Sequence, residues 1–320
     1  MLQTPILFEP IAKRRVWGGS RLAYRFAERI DPPIGESWEL SGVGGSSTKA
    51  VGAEYAGKTL EDLFKEDPVG LCGGKAANRY ARFPLSVKLI DAGDDLPVQV
   101  APNDEFARYK YGHGTLGGME FWHIAAAGPG AKVYCGLSRN MSQDELRKSV
   151  ARDELEKALN AVEVEDGDWL VVNPGILNAV GRNILLLSIQ QASELSFRVY
   201  DWGRIPRKEL DIENALLSAN PNRFIYTVNK EGAPEQFRKL LTRNRIFSIE
   251  RWTFKAGESI RAANESDAFF LLVALKGEMN AASGGRTVVL PHLGACLIPA
   301  DSEGFEATAS SGGSLLVATI

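Results

Sequence analysis

Histidine is scarce: His113, His123 and His292 are the three in 320 residues, which excludes a His-rich metal centre. Cysteine is equally scarce. Cys72, Cys135 and Cys296 are odd in number and widely spaced, which excludes a disulfide framework and a paired-cysteine zinc motif and suits a reducing, cytoplasmic compartment. No apolar run reaches the roughly 18 residues a membrane-spanning helix needs. The opening Met1–Pro10 also lacks the charged region and sustained apolar core of a signal peptide. Basic runs are missing too: net charge is −3 with acids and bases interspersed, so neither nucleic acid nor an anionic membrane is the expected partner. The alternation of strand and helix that a doubly wound parallel sheet requires does not occur.

What remains is an ordinary globular composition, 44% hydrophobic and 24% charged, in a chain long enough for two domains or one large one. Short apolar runs separated by Gly, Pro, Asn and Asp read as strands: Leu85–Ile90, Leu96–Val100, Glu120–Ala126, Lys132–Cys135, Trp169–Val172, Ile184–Ile189, Ser196–Tyr200, Phe247–Phe254, Phe269–Leu275, Thr287–Leu290, Ala295–Ile298 and Ser314–Ala318. An antiparallel sandwich or barrel follows. Helices are few. Ser142 and Glu145 form a capping box ahead of an apolar spacing that the Ala151–Asp153 stretch interrupts. Thr59–Asp62 opens a shorter helix, and Pro234 opens a third ahead of Phe237, Leu240 and Leu241. Ser218–Asn222 marks a boundary, giving an N-terminal domain 1–217 and a smaller C-terminal domain 218–320. Gly167–Pro174 and Gly294–Pro299 share a turn–strand–turn pattern, the trace of two related barrels.

Over most of its length the chain resembles the type I mannose-6-phosphate isomerases, in their short bacterial form with two cupin barrels. The likeness runs in order through Phe8-Glu9-Pro10, Val16-Trp17-Gly18-Gly19, Gly35–Ser41, Phe83–Ala92, Asp94–Val100, Gln190–Ser193 and Phe197–Arg204, and it closes with a second cupin over Leu271–Pro299. The resemblance implies a mostly β fold of two tandem cupin barrels with a few short helices. It also implies interconversion of mannose 6-phosphate and fructose 6-phosphate by proton transfer between C1 and C2, assisted by a zinc-type divalent metal. It assigns Gln99 and Glu120 as metal ligands and Arg198 as the guanidinium that stabilises enediolate charge.

The chain departs from the family at that same place. Ala101 and Asn178 stand where the two ligand histidines belong, Pro97 replaces a serine and Gly118 a lysine. Gln99, Glu120 and the Asn178 amide oxygen would make three hard oxygen donors, better matched to Mg²⁺ or Mn²⁺ than to Zn²⁺. His113, in a glycine-flanked loop before the Glu120 strand, is the histidine with reach to substitute as a ligand or proton carrier, or else a plain loop residue. His123, three residues after Glu120, falls on the opposite face of the strand.

Glu120 needs a partner if it is buried without a metal; a salt bridge to Arg198 is one, and substrate binding is the competing role for that arginine. Lys88 either meets a phosphate in the barrel mouth or points to solvent. Trp17, Trp38 and Trp122 either line a sugar pocket or pack the core. Asn103 and Asp104 read as turn formers after Pro102. The expectation is therefore a cupin isomerase of carbohydrate metabolism taking a small sugar phosphate. The alternative is a non-catalytic sugar-binding cupin, a pseudoenzyme that has lost its metal. The sequence does not fix the oligomeric state.

Overall fold

The computed structural model describes residues 2–26, 33–52, 54–55, 57–204, 209–222, 226–231 and 237–320. Among them are twenty-two strands and six α-helices, and every strand pair with an assigned register is antiparallel. Contacts divide the chain into two compact units: residues 1–11, 38–87 and 232–320 form one, residues 12–37 and 88–231 the other. A single cut at 217/218 does not describe this division. The chain passes between the units four times, and the C-terminal barrel takes strands from the N-terminal segment.

In the unit of residues 12–37 and 88–231, one sheet runs in the order Trp169–Val172, Glu120–Ala127, Ile184–Gln191, Leu85–Ala92, Ile11–Gly19, Ile34–Leu40, its last three strands passing into the other unit. The second sheet runs Phe197–Tyr200, Val98–Val100, Asn178–Val180, Lys132–Leu137, Leu159–Glu163. Trp122, Ile124 and Leu170 from the first sheet share one apolar cluster with Val133, Cys135 and Val180 from the second, so the two sheets pack face to face. On the back of the second sheet, Val98, Val100, Ala179 and Val199 pack against Leu146 and Val150 of helix Gln143–Ala151 and Ala215 and Leu216 of helix Ile212–Ser218. Since side chains alternate along a strand, this back-face packing turns Gln99, Asn178 and Arg198 toward the front.

The other unit repeats the plan with a seven-stranded and a four-stranded sheet around Trp252, Phe254, Leu272, Phe305 and Leu315. Strand Ile6–Glu9 pairs with Ala295–Ile298, Ile6 opposite Leu297. Helix Pro68–Cys72 is tied in by Ala300 and Asp301 amides donating to the Leu71 and Gly70 carbonyls. Gly73 has φ +87, and a Cβ there would stand 1.9 Å from the Asp267 carbonyl oxygen, so only glycine fits.

The Ser142/Glu145 capping box forms, the helix ends at Ala151 and a 3₁₀ turn Leu155–Ala158 follows. Thr59 caps helix Leu60–Glu66. The helix expected after Pro234 does not occur over its described part. Residues 232–236 lie outside the described residues, and Phe237, Leu240 and Leu241 lead into and occupy strand Arg238–Arg243, where pairing with Ser248–Phe254 overrides the local signal. Asn103 and Asp104 are more than turn formers, for Asn103 accepts the Phe106 amide and caps helix Asp104–Tyr111.

Candidate functional site

Strand Val98–Val100 is flanked by Asn178–Val180 on one side and Phe197–Tyr200 on the other. Gln99 lies directly opposite Asn178 and, across the other edge, opposite Arg198. Asn178, Gln99 and Arg198 therefore stand in one row across three strands, and Cys135 extends the row beyond Asn178. The row runs from buried to open: Asn178 is 3% exposed, Gln99 half-buried and Arg198 exposed. A register irregularity between Arg198 and Tyr200 bends the strand beside the arginine.

The loop that delivers Gln99 is latched from the Asp201–Arg204 segment. Arg204 pairs with Asp201 at 2.5 Å and with Asp94 at 3.1 Å, and the Trp202 indole N–H donates to the Leu96 carbonyl at 2.7 Å. The first sheet supplies Glu120. Its Oε2 accepts from the Trp122 indole N–H at 2.7 Å and from the Ser188 hydroxyl at 3.1 Å. These two donors, not Arg198, satisfy the carboxylate. Arg198 makes no ion pair among the described residues and is left available to a ligand.

Lys88 keeps some solvent contact while its ammonium is enclosed by protein, and burial holds its pKa below the ordinary lysine value against the opposing pull of Glu36, Glu120 and Glu194. It belongs with the inner charges rather than on a solvated exterior. The nearby Arg15–Glu36 pair is 2.7 Å long. Burial pushes the Cys135 thiol up, with the Glu120 charge adding to the effect. The two sheets thus bring Glu120 within electrostatic range of the Asn178 row.

Two expected binding residues lie elsewhere. Trp17 is 5% exposed within the apolar cluster around Trp122, so its large ring is a packing element. His113 is exposed in the turn after helix Asp104–Tyr111, and no hydrogen bond or ion pair joins it to Gln99, Glu120 or Asn178. His123 is 7% exposed and pairs with Trp169 and Leu187, on the face of its strand opposite Glu120, as the spacing predicts.

Two residues with no site role assigned from the sequence, Asp104 and Gln191, shape the site's rim. The Asp104 carboxylate accepts the Gly117 amide at 2.8 Å and the Gln191 side-chain amide at 3.1 Å, while Gln191 Oε1 accepts the Met119 amide at 3.0 Å. These bonds draw segment 117–119 over Ala101. A Cβ added at Gly118 would stand 2.4 Å from the Ala101 Cβ. The small residues at these two positions therefore depend on each other, and backbone closes over the Ala101 side chain.

That closure bears on zinc, which takes imidazole nitrogen, thiolate sulfur or carboxylate oxygen, usually from at least three side chains. Of the three candidate ligands Gln99, Glu120 and Asn178, Glu120 is the one carboxylate, and its Oε2 is committed to Trp122 and Ser188. The Asn178 Nδ2 donates to the Ile176 carbonyl at 2.9 Å, and its buried Oδ1 has no hydrogen-bond partner among the described residues. One carboxylate and two amides do not fit zinc. Among the described residues no group of three His, Cys, Asp or Glu side chains is placed to hold a metal.

Comparison with known proteins finds no matching family model. The chain is 31% identical over 295 residues to mannose-6-phosphate isomerase ManA of Bacillus subtilis, covering 89% of each chain. A crystal structure of the mannose 6-phosphate isomerase from Bacillus subtilis superposes with a TM-score of 0.84 at 26% identity, covering 99% of this chain and 100% of the other. A zinc-bound mannose 6-phosphate isomerase structure, 14% identical, shares the fold with a TM-score of 0.74 over 99% of both chains. The mostly β, two-barrel cupin architecture is thus that of these enzymes. By sequence and by fold, the chain belongs to the mannose-6-phosphate isomerase family.

Proposed function

We propose that this protein interconverts mannose 6-phosphate and fructose 6-phosphate. The observation that carries the reading is the Asn178–Gln99–Arg198 row, set in one barrel with Glu120 in a chain related to these isomerases over nearly its whole length. The reaction moves a proton between C1 and C2 and leaves negative charge on oxygen in the enediolate. Arg198, exposed and without an ionic partner, is the donor for that charge; its planar guanidinium suits paired oxygens. Glu120, fixed by two donors to one oxygen, is the positioned carboxylate for proton transfer. Lys88 supplies an enclosed cation for the phosphate or the developing charge. Gln99 and Asn178 orient sugar hydroxyls, the Asn178 Oδ1 being a buried acceptor that a hydroxyl would satisfy. No step is assigned to zinc, because the donors do not fit it.

The test is fructose 6-phosphate formation by the full chain, measured as purified, after chelation, and with Zn²⁺, Mg²⁺ or Mn²⁺ restored. The expected result is turnover that survives chelation and falls at least about a hundredfold in Arg198→Ala and Glu120→Gln. Turnover lost on chelation and regained with metal would overturn the metal-independent assignment. Absence of turnover under every condition would overturn the isomerase reading, and sugar-phosphate binding without turnover would leave the non-catalytic cupin in its place.

A further inference from the structure

The second barrel carries a cavity that the isomerase reading does not use. Strand Arg238–Arg243 pairs with Ser248–Phe254, placing Arg238 opposite Trp252 and Arg243 opposite Ser248. Between them and strand Glu258–Ala263 lies a cavity of about 560 Å³, within the range of small-molecule sites. Four guanidinium groups line it, those of Arg238, Arg243, Arg245 and Arg261, against the carboxylates of Glu250 and Glu265.

Several of these charges are already placed. The Arg238 guanidinium lies 3.9 Å over the Trp252 ring and donates to the Arg261 carbonyl. Arg261 pairs with Glu306 at 3.0 Å, and Glu250 accepts the Trp252 indole N–H at 2.8 Å. Two donors are left over. Among the described residues Arg238 Nε and Asn244 Nδ2 are buried without an acceptor, although Asn244 Oδ1 accepts from the Ile246 and Phe247 amides at 2.8 and 3.0 Å. Unsatisfied buried donors are costly, and both of these belong to residues of the cavity wall. The unmet groups are N–H donors, so the missing partner is rich in acceptors. With Arg261 matched to Glu306, Arg238, Arg243 and Arg245 still outnumber Glu250 and Glu265 in the wall, which makes the partner anionic, and forked donors favour phosphate oxygens. Phe270 and Val317 provide an apolar wall for a carbon skeleton.

We infer that this cavity is an anion site for a phosphorylated metabolite of monosaccharide size, separate from the row around Gln99. The probe is glucose 6-phosphate, titrated calorimetrically into the full chain carrying Arg198→Ala, so that the first barrel's free arginine does not contribute. Binding is expected in that background, weakened about tenfold or more by further substitution of Arg243→Ser with Arg245→Ser, two exposed side chains whose loss leaves the barrel core intact. Glucose without phosphate is expected not to bind. Absence of binding in the Arg198→Ala chain, or binding that ignores the two serine substitutions, overturns the site. Glucuronate binding as tightly as glucose 6-phosphate overturns the preference for phosphate.

Discussion

At the scale of single residues, two of the positions singled out in the sequence, Ala101 and Gly118, meet in the fold. A Cβ at Gly118 would fall in the space that the Ala101 Cβ occupies, and the Asp104 carboxylate holds the intervening loop in place. Gly118→Ala introduces a Cβ 2.4 Å from the Ala101 Cβ, so either the loop or the Gln99 strand must move. The expected cost is about 1–3 kcal/mol, read as a lower midpoint in chemical denaturation. An unchanged midpoint would mean that the loop yields freely and the closure is soft. The sequence exposed each substitution but not their mutual contact, because a glycine carries no signal of what its missing side chain would strike. The orphaned Asn178 Oδ1 was likewise invisible, for an asparagine in a short apolar context reads equally well as a turn residue.

At the scale of elements, long apolar strands such as Leu85–Ala92 and Ile184–Gln191 announced themselves. Strand Asn178–Val180 is three residues long, and Ile34–Leu40 interleaves Gly, Glu and Ser with its apolar positions, so neither stood out from flanking loops. Helix Asp104–Tyr111 hid behind its charge. Its start was nonetheless legible, since Asn103 followed by Asp104 and Glu105 is an N-cap with an acidic first turn. That helix anchors the loop over Ala101 through Asp104. Asn103→Ala removes the cap and is expected to destabilise the protein by about 1 kcal/mol. Hydrogen exchange should show the extra opening concentrated in residues 104–119; a uniform change across the chain would dissociate the cap from the loop.

At the scale of the whole molecule, the bicupin plan was readable from repeated strand grammar, whereas the partition of the chain was not. Sequence order suggested a boundary near residue 217, but the barrel that closes the chain needs strands Ile6–Glu9 and Lys49–Val51 at the end of its seven-stranded sheet. A fragment of residues 218–320 would leave Ala295–Ile298 as a bare edge in which Cys296, Leu297 and Ile298 are otherwise wholly buried. That fragment is expected to aggregate when expressed alone; a soluble, cooperatively unfolding fragment would show that the early strands are dispensable. The pairing of Ile6 with Leu297 also sets a timetable for the nascent chain. Strand Ile6–Glu9 leaves the ribosome about 290 residues before its partner, a wait of roughly 15–60 s at common elongation rates, while residues 88–231 are complete well before that partner appears. The segment carrying Gln99 and Arg198 therefore has the opportunity to mature first, and the apolar Ile6–Glu9 strand is a natural client for a chaperone until Ala295–Ile298 emerges.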